Sequence, residues 1–193
     1  MAERLDDSAL RQLFLEARTH RAWLPIEVPD SLLMELVDLM KWGPTASNSL
    51  PARIIFVRSK QAKERLRPHL SEGNRERTML APACAIIGYH AKFYDHPPKG
   101  QDPLKGFAQD PAGAVTAAMR NSSLQGGYFV LAARALGLDA GPMSGFDPPG
   151  VDQEFFAGTE VKSNFLCNLG YGDPPKLRPR GPRFPFAEMA SII

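Results

Sequence analysis

An α/β or α+β fold is what this sequence predicts, on three observations. Stretches with apolar residues at helical spacing alternate with runs of four or more consecutive apolar residues, as buried strands require. Gly and Pro cluster between these stretches. The 193 residues, 44% hydrophobic and 23% charged, are enough for one domain with its own core, spanning residues 1–193.

The first helix is expected over residues 7–19, capped by Asp7 or Ser8, with Leu10, Leu13, Phe14 and Ala17 on one face. Asp30 is the expected N-cap of a second, whose stripe is Leu32, Leu33, Leu36, Leu39 and Met40, and Gly43-Pro44 ends it. The run RIIFVR at 53–58 reads as a strand buried on both faces, followed by a short helix within 60–70. A second strand, ACAIIGYH, occupies 83–90. Residues 91–111 hold four prolines and two glycines, which predicts a mobile loop or lid. A long helix from about 112 to 136, rich in small residues, ends at the turn Gly137-Leu138-Asp139. A short helix near 149–157 and a strand at 164–172 precede a Pro/Arg-rich tail.

The charge balance is mildly basic, +2 with a pI near 8.6, well short of what non-specific nucleic-acid binding would call for. Cys84 and Cys167 lie far apart in apolar runs, as reduced, buried thiols would. His20, His69, His90 and His96 have no ligand spacing, so no metal site is expected. The N-terminus MAERLDDSAL lacks the apolar core of a signal peptide, and no apolar run approaches the ~18 residues of a membrane span. A soluble, cytoplasmic protein is the expectation.

Charge is directional in two places. KLRPRGPR, residues 176–183, carries Lys176, Arg178, Arg180 and Arg183 with no acid among them. Guanidinium forks match phosphate oxygens, so the run suits either a phosphate-sized anion or a solvated basic tail. No aromatic residues interleave these charges, which argues against nucleic acid. Arg18-Thr19-His20-Arg21 is a second cluster, compatible with a ligand or with favourable charges at a helix C-terminus. Between them lie the small, polar stretch KWGPTASNSLPAR at 41–53 and the Gly-flanked turn GPMSGFD at 141–147. Dinucleotide, Walker and nucleophile-elbow sequences are absent.

Several spaced motifs carry a resemblance over nearly the whole chain: R-T-H at 18–20, M-K-W-G-P-T at 40–45, A-R-I-x-F at 52–56, R-N-S-S-x-Q at 120–125, L-G-L-D-x-G-P-M-S-G-F-D at 136–147 and L-G-Y-G-D at 169–173. Together they resemble the FMN-dependent nitroreductase family, and within it the malonic semialdehyde reductases, or 3-hydroxypropanoate dehydrogenases, of pyrimidine breakdown. The resemblance implies an α+β fold with a central, mainly antiparallel sheet flanked by helices, and an intertwined homodimer with FMN at the subunit interface. By that resemblance Arg18, Thr19, His20 and Arg21 face the phosphate and ribityl end of FMN, joined by Arg180 and Arg183. Pro44, Thr45, Ala46, Ser47 and Asn48 reach the FMN bound mainly by the other subunit. Asn74 meets the pyrimidine edge of the flavin, and Met143, Ser144 and Gly145 set backbone N–H groups against its reactive nitrogen.

The activity so implied is a hydride relay from NADPH or NADH through FMN to malonic semialdehyde, with no side chain assigned as a catalytic acid or base. Arg120 and the 91–111 segment are candidates to meet the substrate's carboxylate and aldehyde oxygen. A broad nitroaromatic or quinone reductase, or a flavin-binding protein without turnover, is the alternative.

Overall fold

The segment Ala83–His90 is almost wholly buried because both of its faces are covered by helices. It is the second strand of a sheet in a computed structural model that describes residues 1 and 3–193. The strands are β1 (Ala52–Val57), β2 (Ala83–His90), β3 (Asp139–Met143) and β4 (Val161–Gly170), all antiparallel in the order β1-β2-β4-β3. Among the described residues the α-helices are α1 (Asp7–Leu10), α2 (Asp30–Met40), α3 (Lys60–Leu66), α4 (Glu72–Leu80), α5 (Pro111–Ala135), α6 (Pro148–Phe155) and α7 (Phe186–Met189). The predicted antiparallel α+β architecture is therefore present, and none of these helices is long and apolar enough to cross a membrane.

Alternation along the strands sorts side chains into two cores. Ala83, Ala85 and Ile87 of β2, with Cys167 and Leu169 of β4, face Leu33, Leu36 and Met40 of α2 and Phe129, Ala132 and Ala133 of α5. Cys84, Ile86 and Leu166 face Leu66 of α3 and Val151 of α6 on the other side. Cys84 and Cys167 are thus on opposite faces of the sheet, which keeps both thiols free. Burial pushes both thiols up, Cys167 to about 12, so neither is a thiolate at neutral pH.

Several elements differ from expectation, each for a local reason. Asp6, not Asp7 or Ser8, caps the first helix by accepting from Ala9 N at 2.7 Å, and after Leu10 the chain widens into a π-turn, Arg11–Leu15. Asp30 begins α2 without capping it, because its carboxylate turns to Arg58. β1 is half-buried because it is an edge strand. Residues 139–143, read as the start of a turn, form the opposite edge strand, where Pro142 stands opposite Cys167 and its missing N–H costs no central ladder bond. α4 was not anticipated, since its sequence EGNRERTML has little apolar periodicity.

The segment 91–110 is not a bare lid. It brings its own aromatic residues, Phe93, Tyr94 and Phe107, and packs them on Ala114 and Ala118 of α5, with the Phe93 and Phe107 rings 5.0 Å apart. Phe93 and Tyr94 retain only 1% and 7% of their exposure.

Candidate functional site

The two basic clusters of the sequence meet. Residues 17–21 leave the π-turn and run beside the tail, where Arg18 donates to Arg178 O, and Arg180 Nη2 donates to Leu15 O at 2.7 Å and to Ala17 O at 3.0 Å. Between them opens a cavity of about 300 Å³ lined by Ala17, Arg18, Thr19, Arg21, Arg134, Lys176, Leu177, Arg178, Pro179, Arg180, Gly181 and Arg183. Seven of these are cations and none is an acid. Lys176 is paired with Asp173 at 3.2 Å, outside the lining. Arg134 reaches in from the last turn of α5, and its Nε is buried with no partner among the described residues. Burial, with Arg180 adding to it, holds the Arg134 guanidinium below its ordinary value. A concentration of guanidinium forks without counter-charge suits a phosphate dianion.

His20 does not join this lining. It is 7% exposed, with Nε2 3.5 Å from Asp139 Oδ1, while Asp139 Oδ2 accepts from Gly172 N at 2.8 Å. A Cβ at residue 172 would overlap the His20 ring, so glycine there permits the approach. With the Trp23–Gly172 bridge, this contact pins the strap that carries Arg18 and Arg21 on either side of His20. The His20 ring, expected at the phosphate end, points inward and packs on Gly172 beside Asp139.

A second group forms where α4 meets the turn after β3. Gly145 O accepts from Ser71 Oγ at 2.7 Å, from Ser71 N at 3.1 Å and from Asn74 Nδ2 at 2.6 Å. A Cβ on Gly145 would stand 2.5 Å from Ser71 Oγ and 2.7 Å from Asn74 Nδ2, so any side chain there would displace both donors. Met143 is buried, its sulfur 3.7 Å from Thr78 Oγ1, which accepts from Asn168 Nδ2 at 3.1 Å. Ser144 is exposed, and the N–H groups of Ser144 and Gly145 have no acceptor among the described residues. Two adjacent free donors on a rigid turn suit a planar acceptor edge.

Arg77 links these two groups. One turn after Asn74 on α4, it donates to Asn74 Oδ1 and so fixes which way that amide points. Burial, then the nearby Arg21 and Arg178, lowers its guanidinium from the ordinary value, which places it beside the basic cavity. The sequence signalled Arg77 only by its i+3 spacing from Asn74. Arg134 was not singled out, and Lys176 and Arg178 were noted as part of the basic run without being assigned to the site.

The third group stands apart. Pro44–Asn48 belong to a turn in which Ser47, Asn48 and Leu50 take φ of 54°, 51° and 40°, a left-handed backbone that Asn tolerates but Ser and Leu rarely adopt. Asn121 Oδ1 accepts from Ala46 N at 2.8 Å, Thr45 Oγ1 from Leu50 N at 3.1 Å and Gln125 Oε1 from Ala52 N at 3.0 Å. Asn121 and Arg134 are thirteen residues apart on α5, about 20 Å along its axis. The turn and the basic cavity therefore sit toward different ends of α5. Arg120, also on α5, is exposed. A larger cavity, about 520 Å³ between Leu24, Glu27, Arg58, Lys63 and Leu80, contains none of the predicted residues.

The chain is similar to known proteins in sequence and in fold. The profile described as the nitroreductase family matches residues 15–171. A protein of Burkholderia lata, provisionally named NADH dehydrogenase/NAD(P)H nitroreductase, is 58% identical over 191 residues, covering 97% of this chain and 98% of its own. A Stenotrophomonas maltophilia protein with the same provisional name is 58% identical over 195 residues, covering both chains fully. In fold, the chain is similar to the crystal structure of a provisionally named nitroreductase in complex with FMN from Exiguobacterium sibiricum, with a TM-score of 0.84 at 16% identity and full coverage of both chains.

Proposed function

This chain belongs to the nitroreductase family, and we propose that it is an FMN-dependent NAD(P)H oxidoreductase that reduces malonic semialdehyde to 3-hydroxypropanoate as a homodimer. The observation that carries the cofactor assignment is the acid-free cavity in which Arg18, Arg180 and Arg183 converge from opposite ends of the sequence. Those guanidinium groups would hold the FMN phosphate. The free N–H groups of Ser144 and Gly145, on the turn braced by Asn74, would face the ring and stabilise negative charge there. Bound FMN supplies the two-electron carrier between NAD(P)H and the acceptor. The chain itself binds, orients and offers donors, with no acid or base assigned to a side chain.

The homodimer reading draws on two features. The Pro44–Asn48 surface lies too far along α5 to serve its own cavity, so it suits the cofactor of a second copy. Large apolar side chains also stand in solvent, among them Trp42 at 78%, Leu15 at 68% and Phe184 at 70% exposure, a pattern that marks interaction surfaces. Malonic semialdehyde as acceptor rests on the resemblance carried by the motifs spaced from residue 18 to residue 173, and the exposed Arg120, without an ion-pair partner among the described residues, is the cation proposed to meet its carboxylate.

A broader nitroaromatic or quinone reductase is the second reading, favoured by the names of the curated relatives. The deciding experiment is NADPH- and NADH-dependent turnover of malonic semialdehyde against nitrofurazone, with the absorption spectrum of the purified protein recorded first. Flavin absorption with negligible semialdehyde turnover would leave the reductase assignment standing and remove the substrate.

A further inference from the structure

Residues 97–101 bring one side chain to the strained turn. Gln101 N donates to Pro98 O at 3.0 Å and Gly100 has φ 89°, as the third position of a type II turn requires. The Gln101 side chain then closes two hydrogen bonds of opposite sense: Nε2 donates to Ser47 O at 3.2 Å, and Oε1 accepts from Asn48 Nδ2 at 2.7 Å. A primary amide can give and take in this way from one planar group. Its two targets are the residues with φ of 54° and 51°. Non-glycine residues in that region persist only where their surroundings hold them. Asn121 holds the turn from the buried side, through Ala46 N, and Gln101 holds it from the solvent side. The root of the 91–110 segment is fixed by Phe93 and Tyr94 on α5 and by the Lys92–Glu160 pair at 2.7 Å, so the clasp spans two anchored pieces of chain.

We propose that Gln101 is a positioning residue whose clasp keeps the 45–50 turn in the shape that receives the FMN of a second copy. The clasp thereby couples the 91–110 segment to flavin retention. The inference rests on the reading of Pro44–Asn48 given under the proposed function.

The test compares two flavin-loaded proteins, wild type and Gln101→Ala. The FMN dissociation constant is read by fluorescence, and amide hydrogen exchange at residues 45–52 in the same preparations. Gln101→Ala is expected to speed exchange in the turn and raise the dissociation constant about tenfold, equivalent to ~1.4 kcal/mol, with exchange in β2 unchanged. Unchanged exchange at 45–52, or faster exchange with unchanged affinity, would each overturn the inference. Wild-type protein that takes up no FMN would overturn the functional reading as well, whereas flavin uptake indifferent to Gln101→Ala would overturn this inference alone.

Discussion

The basic cavity and the 44–50 turn are the two polar surfaces of the proposed FMN site, and the chain builds them by opposite means. The cavity gathers long cationic side chains from residues 17–21, 134 and 176–183, and its chemistry lies in residue type. The turn is contiguous and nearly featureless in side chains, and its chemistry lies in backbone shape: three left-handed residues held by Asn121, Gln125 and Gln101. Charges act over several ångströms and tolerate imprecise placement, whereas a surface of backbone must be clamped from outside. Loss of function should follow different rules in the two regions.

The largest expected effect is in the cavity. Arg18→Ala with Arg180→Ala should weaken FMN retention by roughly 100- to 10,000-fold, since each charge-assisted pair contributes about 1.5–3 kcal/mol. Riboflavin, which lacks the phosphate, should be nearly indifferent to that pair of changes. Equal losses for both ligands, measured by fluorescence titration, would dissolve the assignment of this region to the phosphate. Next is the turn that joins the two halves of the site. Gly145→Val forces a side chain against Ser71 and Asn74 and should cost about 1–3 kcal/mol, a melting temperature lower by several degrees.

Ala46→Trp sharpens the contrast. Ala46 is exposed, so folding should change by less than about 0.5 kcal/mol, while flavin retention should fall several-fold. Unaltered flavin content in that variant would end the comparison in favour of the cavity alone. The smallest effect concerns pH. Burial, then Arg53 and His96, holds the His90 imidazole below its usual 6.5, against the opposing pull of Glu160 and Asp95. The unfolded chain then binds the proton first, so stability should be complete above about pH 6.5 and decline as pH falls through the lowered folded value. His90→Asn should flatten that part of the pH–stability profile in thermal melts. An unchanged slope would exclude His90 as its source.

The same contrast explains what the sequence made legible. The strands β2 and β4, the helices α2 and α5 and both basic clusters follow from residue type and period, because burial and charge are written locally. The convergence of Arg18 with Arg180 is a long-range event with no local trace. α4 and β3 escaped periodicity for different reasons: α4 is polar over its first seven residues, with only Asn74 and Thr78 buried, and β3 carries Gly141 and Pro142. The inward turn of His20 depends on Gly172, 152 positions away, so an Arg-Thr-His-Arg run could not disclose it.

The length of α5 carries a consequence of its own. One uninterrupted helix holds Asn121, which steadies the 44–50 turn, and Arg134, which lines the basic cavity. A single residue inserted between them would rotate one end by about 100° relative to the other. This interval therefore cannot be edited one residue at a time: the turn and the cavity keep their relative facing only while the helix between them keeps its register.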